Sequence, residues 1–213
     1  FLVSVCVVWL LCVSVMLCSV CTAPVCTNAQ VGCHAVSLNN LFDRIIQHSA
    51  KMHRVSNDLH QQFELHVLPS RNQVGRGGHI CHTSTIMTPN GKENAQRMAR
   101  EGLTQVILQL LMAWTDPLMN LHHSSTNVSV DMSSMVGELR RGVQRLAEKM
   151  HTLGLLTDPD SSVVSPEALM TSHPVPWRLM NLYDILYCFR RDSNKVHNYL
   201  RILKCRIVPE HGC

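Results

Sequence analysis

Leu179, Leu182, Leu186, Phe189, Val196, Leu200, Leu203 and Ile207 recur at steps of three, four or seven residues. An α-helix brings the same face round every 3.6 residues, so the pattern predicts a long amphipathic helix from about Trp177 to Ile207. Ser193 alone interrupts the apolar stripe. The same periodicity occurs three more times. From about Ser37 to His66 it runs on Leu38, Leu41, Ile45, Met52, Val55, Leu59 and Phe63, with Ser37 placed to cap the start. From about Lys92 to Leu121 it runs on Leu103, Ile107, Leu110, Trp114, Leu118 and Leu121, and Pro117 predicts a kink or an early stop. From about Asp131 to Leu153 it runs on Met132, Met135, Leu139, Val143, Leu146, Met150 and Leu153. No comparable period-two stretch exists, so the chain reads as all-α.

The connections set the topology. About nine residues, around Ser124-Ser125-Thr126-Asn127, join the second and third helices, a length that suits antiparallel neighbours. The other two connections are each about 22–25 residues. A helix of about 28 residues is roughly 42 Å long, and an extended crossover of that length spans it. Two long crossovers around one short turn predict a long-chain four-helix bundle running up-up-down-down. The competing topology is a pair of short-looped hairpins carrying long insertions. At 213 residues the chain has room for one full hydrophobic core. A charged fraction of 16% excludes a disordered polyelectrolyte, and a scattered net charge of +4 does not point to nucleic acid.

No Asp, Glu, Lys or Arg precedes Asp43, and residues 2–20 form an apolar run with small residues at and after its end, Ser19, Cys21, Thr22 and Ala23, and then Pro24. Small residues after a short apolar run, with no basic stop, predict a cleaved secretory signal over 1–22 rather than a membrane anchor. Its basic start is expected upstream of Phe1, and the remainder, 23–213, is expected to be one bundle domain. The cut removes Cys6, Cys12, Cys18 and Cys21, leaving six cysteines. An even number in an exported chain predicts three disulfides. Of 15 pairings, spacing favours Cys26–Cys33 and Cys205–Cys213 as short loops and Cys81–Cys188 as a long bridge. A zinc site lacks CxxC spacing.

The stretches SLNNLFDRIIQHSAKMH (37–53), CHTSTIMTP (81–89) and LYCFRRDSNKVHNYLRILKCR (186–206) closely resemble the prolactin branch of the prolactin, growth hormone and somatolactin family. The six-cysteine pattern is similar to that branch as well, whereas growth hormones keep only the long bridge and the C-terminal one. The resemblance covers most of the chain after the signal and is loose from about Asn120 to Pro176. It implies a secreted monomeric hormone without active site, cofactor or metal. Such a hormone bridges two class I cytokine receptor ectodomains, those of prolactin or growth hormone receptors, and triggers Janus kinase/STAT signalling. By position, the first receptor would meet Ile46, His53, Pro89, Lys92, Tyr183, Tyr187, Arg190, Arg191, Lys195, Tyr199 and Arg201. Tyr and Arg anchors with a basic rim have the composition of an interface, and 183, 187, 191 and 195 follow one helical row.

The sequence departs from the family at three places, one of them a loop before the first helix that is one residue longer than in tetrapod relatives. Of a histidine cluster on that face only His53 is in place, with Ala50 and Asn194 at the other positions, so histidine-based zinc bridging is not expected there. Family members carry glycine in the third helix where the second receptor packs, and the alignment sets Lys149 there, predicting weaker second-receptor binding. Asn127-Val128-Ser129 is a glycosylation sequon on the short turn. Gly75-Arg76-Gly77-Gly78 lacks the Lys-Ser/Thr of a phosphate loop. Arg140-Arg141 and Arg190-Arg191 fall inside helices and read as surface charge rather than cleavage sites. The methionines of the third helix read as core filling. No HExxH, GxSxG or paired-carboxylate pattern supports an enzyme, and the alternative of a carrier bundle lacks the Glu-x-x-His motif on each of two helices, which occurs only once, at Glu148–His151.

Overall fold

The computed structural model describes residues 31–67, 80–124, 127–156 and 180–209; for 31–36, 66–67, 122–124 and 127–130 it describes the backbone only. The apolar N-terminal run, Cys26, the Gly75–Gly78 loop, Trp177, Leu179 and Cys213 lie outside these residues, as do the side chains of Cys33 and Asn127. Contacts part the chain into Phe1–His34 and Ala35–Cys213, and the helical bundle belongs to the second unit.

The described residues form helices and turns, with no strand. The helices are α1 (Val31–Val67), α2 (Gly91–Arg97), α3 (Arg100–Ala113), α4 (Thr115–Ser124), α5 (Asn127–Thr152) and α6 (Leu182–Ile207), with a 3-10 turn at His82–Thr85. Helix directions follow from side-chain pairs distant in sequence. Along α1, Ser37 meets Lys149 and His48 meets the Met135 carbonyl, so α5 runs antiparallel to α1. Asp43 meets Lys204 and Glu64 meets Tyr183, so α6 is antiparallel to α1 as well. Arg100 reaches the Arg206 carbonyl and Trp114 reaches Asp192, so α3 is antiparallel to α6. The order is therefore up, up, down, down, as the connection lengths predict.

The second periodic stretch is one path broken twice. The first break is at Met98 and Ala99, both outside the helical conformation. The carbonyl it frees on Met98 accepts from the Arg206 guanidinium, and Arg100 donates to the Arg206 carbonyl at 2.9 Å. The second break is at Trp114, three residues before Pro117. Pro117 has no N–H to give the Ala113 carbonyl, and that carbonyl instead meets His82 Nε2 at 3.1 Å. The interruption expected from Pro117 is present, and the oxygen it orphans docks the crossover.

Three boundaries differ from expectation. α1 begins at Val31, so Ser37 caps nothing and its hydroxyl accepts from Lys149 instead. α4 and α5 reach Ser124 and Asn127, tightening the expected nine-residue turn; 118–130 holds no Gly or Pro to stop a helix. Asn127 is thus the first residue of α5 rather than a turn residue. α6 begins at Leu182 because Asn181 caps it, its side chain accepting the Asp184 N–H at 2.8 Å. Leu182 is consequently 39% exposed and leaves the apolar stripe.

The core draws on every bundle helix: Leu38, Phe42 and Met52 from α1, Leu103 and Ile107 from α3, Leu139 and Leu146 from α5, Phe189 and Leu200 from α6. Met132, Met135 and Met150 fill it, as expected. Leu41, Val55 and Leu59 are only half-buried, because Ser49, Ser56 and His60 occupy the inward line of α1.

Candidate interaction site

One face is built from α1, α6 and the segment Cys81–Lys92 that precedes α3. Cys81 and Cys188, both buried, form the disulfide that ties this segment to α6. Cys205 is disulfide-bonded too, and Cys33 stands in α1. Polar bonds continue the attachment outward along α6. Lys195 Nζ donates to Thr88 Oγ1 at 2.8 Å, and the Tyr199 hydroxyl donates to the Pro89 carbonyl at 3.1 Å. Burial, then the nearby Arg191 charge, lowers the Lys195 pKa; burial above all raises that of Tyr199. Beyond them opens a cleft of about 800 Å³ whose lining includes Ile46, Pro89, Lys92, Lys195, Arg201 and Lys204.

At the other end of the face is an aromatic cluster. Tyr183 stacks on Phe63 and on the buried His60, at 6.0 and 5.5 Å between ring centres, and its hydroxyl donates to Glu64 at 3.1 Å. Tyr187 lies 6.0 Å from His60 and beneath the Arg190 guanidinium, 5.7 Å from its carbon. Burial, followed by the bond to Glu64, raises the Tyr183 pKa.

Between the two ends, α1 and α6 exchange a matched pair of contacts. His197 Nδ1 lies 3.0 Å from Ser49 Oγ, and His53 Nδ1 lies 3.1 Å from Ser193 Oγ. Each serine hydroxyl donates to the carbonyl three residues back in its own helix, Ile46 or Arg190. Each hydroxyl has one hydrogen, so each imidazole donates through Nδ1–H. Both histidines have lowered pKa values. For His53 the causes are burial, then Arg190; for His197 they are burial, then Arg201 and His53. The unfolded chain therefore binds more protons than the folded one between the lowered values and the ordinary one. Stability from this pair is full above the ordinary histidine value and falls as pH drops through that window. Denaturant midpoints of the wild type should decrease between about pH 7 and pH 5, and the decrease should shrink in His53→Gln and His197→Gln. An unchanged pH slope in both variants would remove the pair from the titration.

The residues named from sequence gather here, with differences in role. Lys92 and Arg201 are exposed; Ile46, His53, Pro89, Tyr183, Tyr187, Arg190, Arg191 and Lys195 are half-buried. Tyr199 is 5% exposed, so it offers no ring to a partner and instead holds Pro89 in place. Sequence reasoning missed Asp192 and His197. His197 lies four residues beyond Ser193, the same spacing that separates Ser49 from His53, and that repeat was the available signal. Lys149 is on the α1–α5 face, held by the Ser37 hydroxyl. Two turns earlier on α5, at Gly142, a Cβ would stand 3.3 Å from Ile45 Cγ1 of α1. Among the described residues no helix is long and apolar enough to cross a membrane. The family model described as the somatotropin hormone family matches residues 10–213.

Proposed function

The chain belongs to the somatotropin hormone family, and from that membership we propose that it is a prolactin-like hormone whose α1–α6 face docks a class I cytokine receptor ectodomain. The hormones of this family are secreted, non-enzymatic and bind receptors of that class. On this reading residues 1–22 direct export and 23–213 form the hormone. The observation that carries it is the composition of one continuous face. Tyr183 and Tyr187 lie at one end, Lys92 and Arg201 at the other, with Arg190, Arg191 and Lys195 between them. Aromatic and arginine anchors beside a cationic rim fit a receptor surface that supplies carboxylates and apolar pockets. Ile46, His53 and Pro89 complete the contact; Tyr199 supports it from beneath.

A second receptor would meet the α1–α5 face, and the pair so formed would start Janus kinase/STAT signalling. Lys149 lies on that face, and displacing or desolvating it is expected to weaken the second contact. Two measurements test the reading. Binding of the mature chain to prolactin and growth hormone receptor ectodomains, side by side, should be tighter to the first; binding to neither overturns the proposal. Light-scattering mass with excess ectodomain should give a one-to-one complex, and a stable one-to-two complex would remove the role given to Lys149.

A further inference from the structure

Asp192 lies on the apolar side of α6, 1% exposed, yet it is a carboxylate with four donors around it. Its Oδ2 accepts from Thr83 Oγ1 at 2.5 Å and from Trp114 Nε1 at 3.0 Å. Its Oδ1 accepts from both Nε and Nη2 of Arg191, each at 2.8 Å. Arg191 Nη2 also donates to Thr83 Oγ1 at 2.8 Å, which closes a triangle of α6 and crossover residues. A guanidinium has five N–H bonds in a fixed plane. These contacts occupy its Nε and Nη2 side, and the side chain remains 33% exposed. The plane is thus fixed from behind, with the Nη1 edge on the other side of the fork from Asp192 and Thr83.

We propose that Asp192 is a positioning residue for partner binding: with Thr83 it holds the Arg191 guanidinium in one orientation, so that its Nη1 edge is ready to donate to a carboxylate of the receptor. This role rests on the hormone reading and assigns a cause to one of its anchors. Arginine on a helix surface ordinarily samples many rotamers and gives up that freedom on binding. A guanidinium ordered beforehand has already done so, which lengthens the life of the complex rather than hastening the encounter.

Asp192→Asn separates this role from general stability. The amide oxygen can still accept from Trp114 and Thr83, while its NH2 group faces the Arg191 N–H groups and releases them. The substitution also adds positive charge to the face, which leaves association with an acidic partner unchanged or faster. Expected are a roughly tenfold faster dissociation from the receptor ectodomain and an association rate that does not fall. In an Arg191→Ala background, Asp192→Asn should add nothing to the dissociation rate, since the group it positions is gone. Thr83→Val, which removes one of the two supports, should raise dissociation about threefold by the same preorganisation argument. In the free full chain, the Arg191 Nε–H should give an ordered NMR signal that Asp192→Asn loses. An additive effect of the two substitutions, a slower association, or a mobile Nε–H in the wild type would overturn the proposal while leaving the hormone reading intact. Wild-type binding to neither ectodomain would overturn both.

Discussion

Replacing Trp114 with alanine should lower the unfolding free energy by about 4–5 kcal/mol, the upper end for truncating a buried aromatic. The indole is 2% exposed and closes the break between α3 and α4. Its ring meets His82 edge-on at 4.5 Å and Phe189 at 5.0 Å, joining the crossover, the second bundle helix and α6. Its N–H donates to buried Asp192. Alanine would therefore leave a large cavity and take one donor from a carboxylate that cannot reach water. Trp114→Phe keeps most of the volume and loses the donor alone, which predicts about 1–2 kcal/mol. Denaturant midpoints at constant slope would measure both. A loss below about 2 kcal/mol in the alanine variant, against the 3–5 usual for this truncation, would show that the surrounding helices collapse into the space and that Trp114 is not a hub of the core.

Exchanging both Cys81 and Cys188 for serine should remove about 4 kcal/mol, because the bridge joins positions 107 residues apart and restrains the unfolded chain strongly. The folded face should nonetheless persist. Thr83 with Asp192, Lys195 with Thr88 and Tyr199 with Pro89 attach the same segment to α6 without the sulfurs. The double-serine variant is thus expected to unfold at much lower denaturant, yet to bind receptor with little change where it is still folded. Loss of binding by a fully folded variant would show that the disulfide, and not the polar row, holds the crossover in place.

The helical type, the four bundle stretches and their directions were legible because they depend on short-range periodicity and on connection length. Pro117 marked a break that the structure places three residues earlier, at Trp114, since the missing N–H acts on the preceding turn. The break at Met98 and Ala99 had no such mark. Neither residue is Gly or Pro, and the carbonyl it frees is taken by Arg206, 108 residues away. Asp192 was illegible for a related reason. A charge in an apolar row reads locally as a defect, and its partners Thr83 and Trp114 are 109 and 78 residues distant. The tyrosines and arginines of α6 were legible as a row, and their separate tasks were not. Tyr199 differs from Tyr183 and Tyr187 only in what packs over it, which neither spacing nor resemblance contains.

The matched serine–histidine contacts between α1 and α6 also act as a vernier. Sliding α6 by one turn in one direction would set Ser49 against Ser193, two hydroxyls already committed to their own carbonyls. Sliding it the other way would set His53 against His197, two Nδ1–H donors with no acceptor between them. Apolar stripes alone tolerate such a slip, because leucines resemble one another from turn to turn. These four side chains do not, so the offset between the residues α1 and α6 lend to the face has one permitted value. A partner that spans both helices meets a surface that is either correctly aligned or absent, with no nearly correct version to bind weakly.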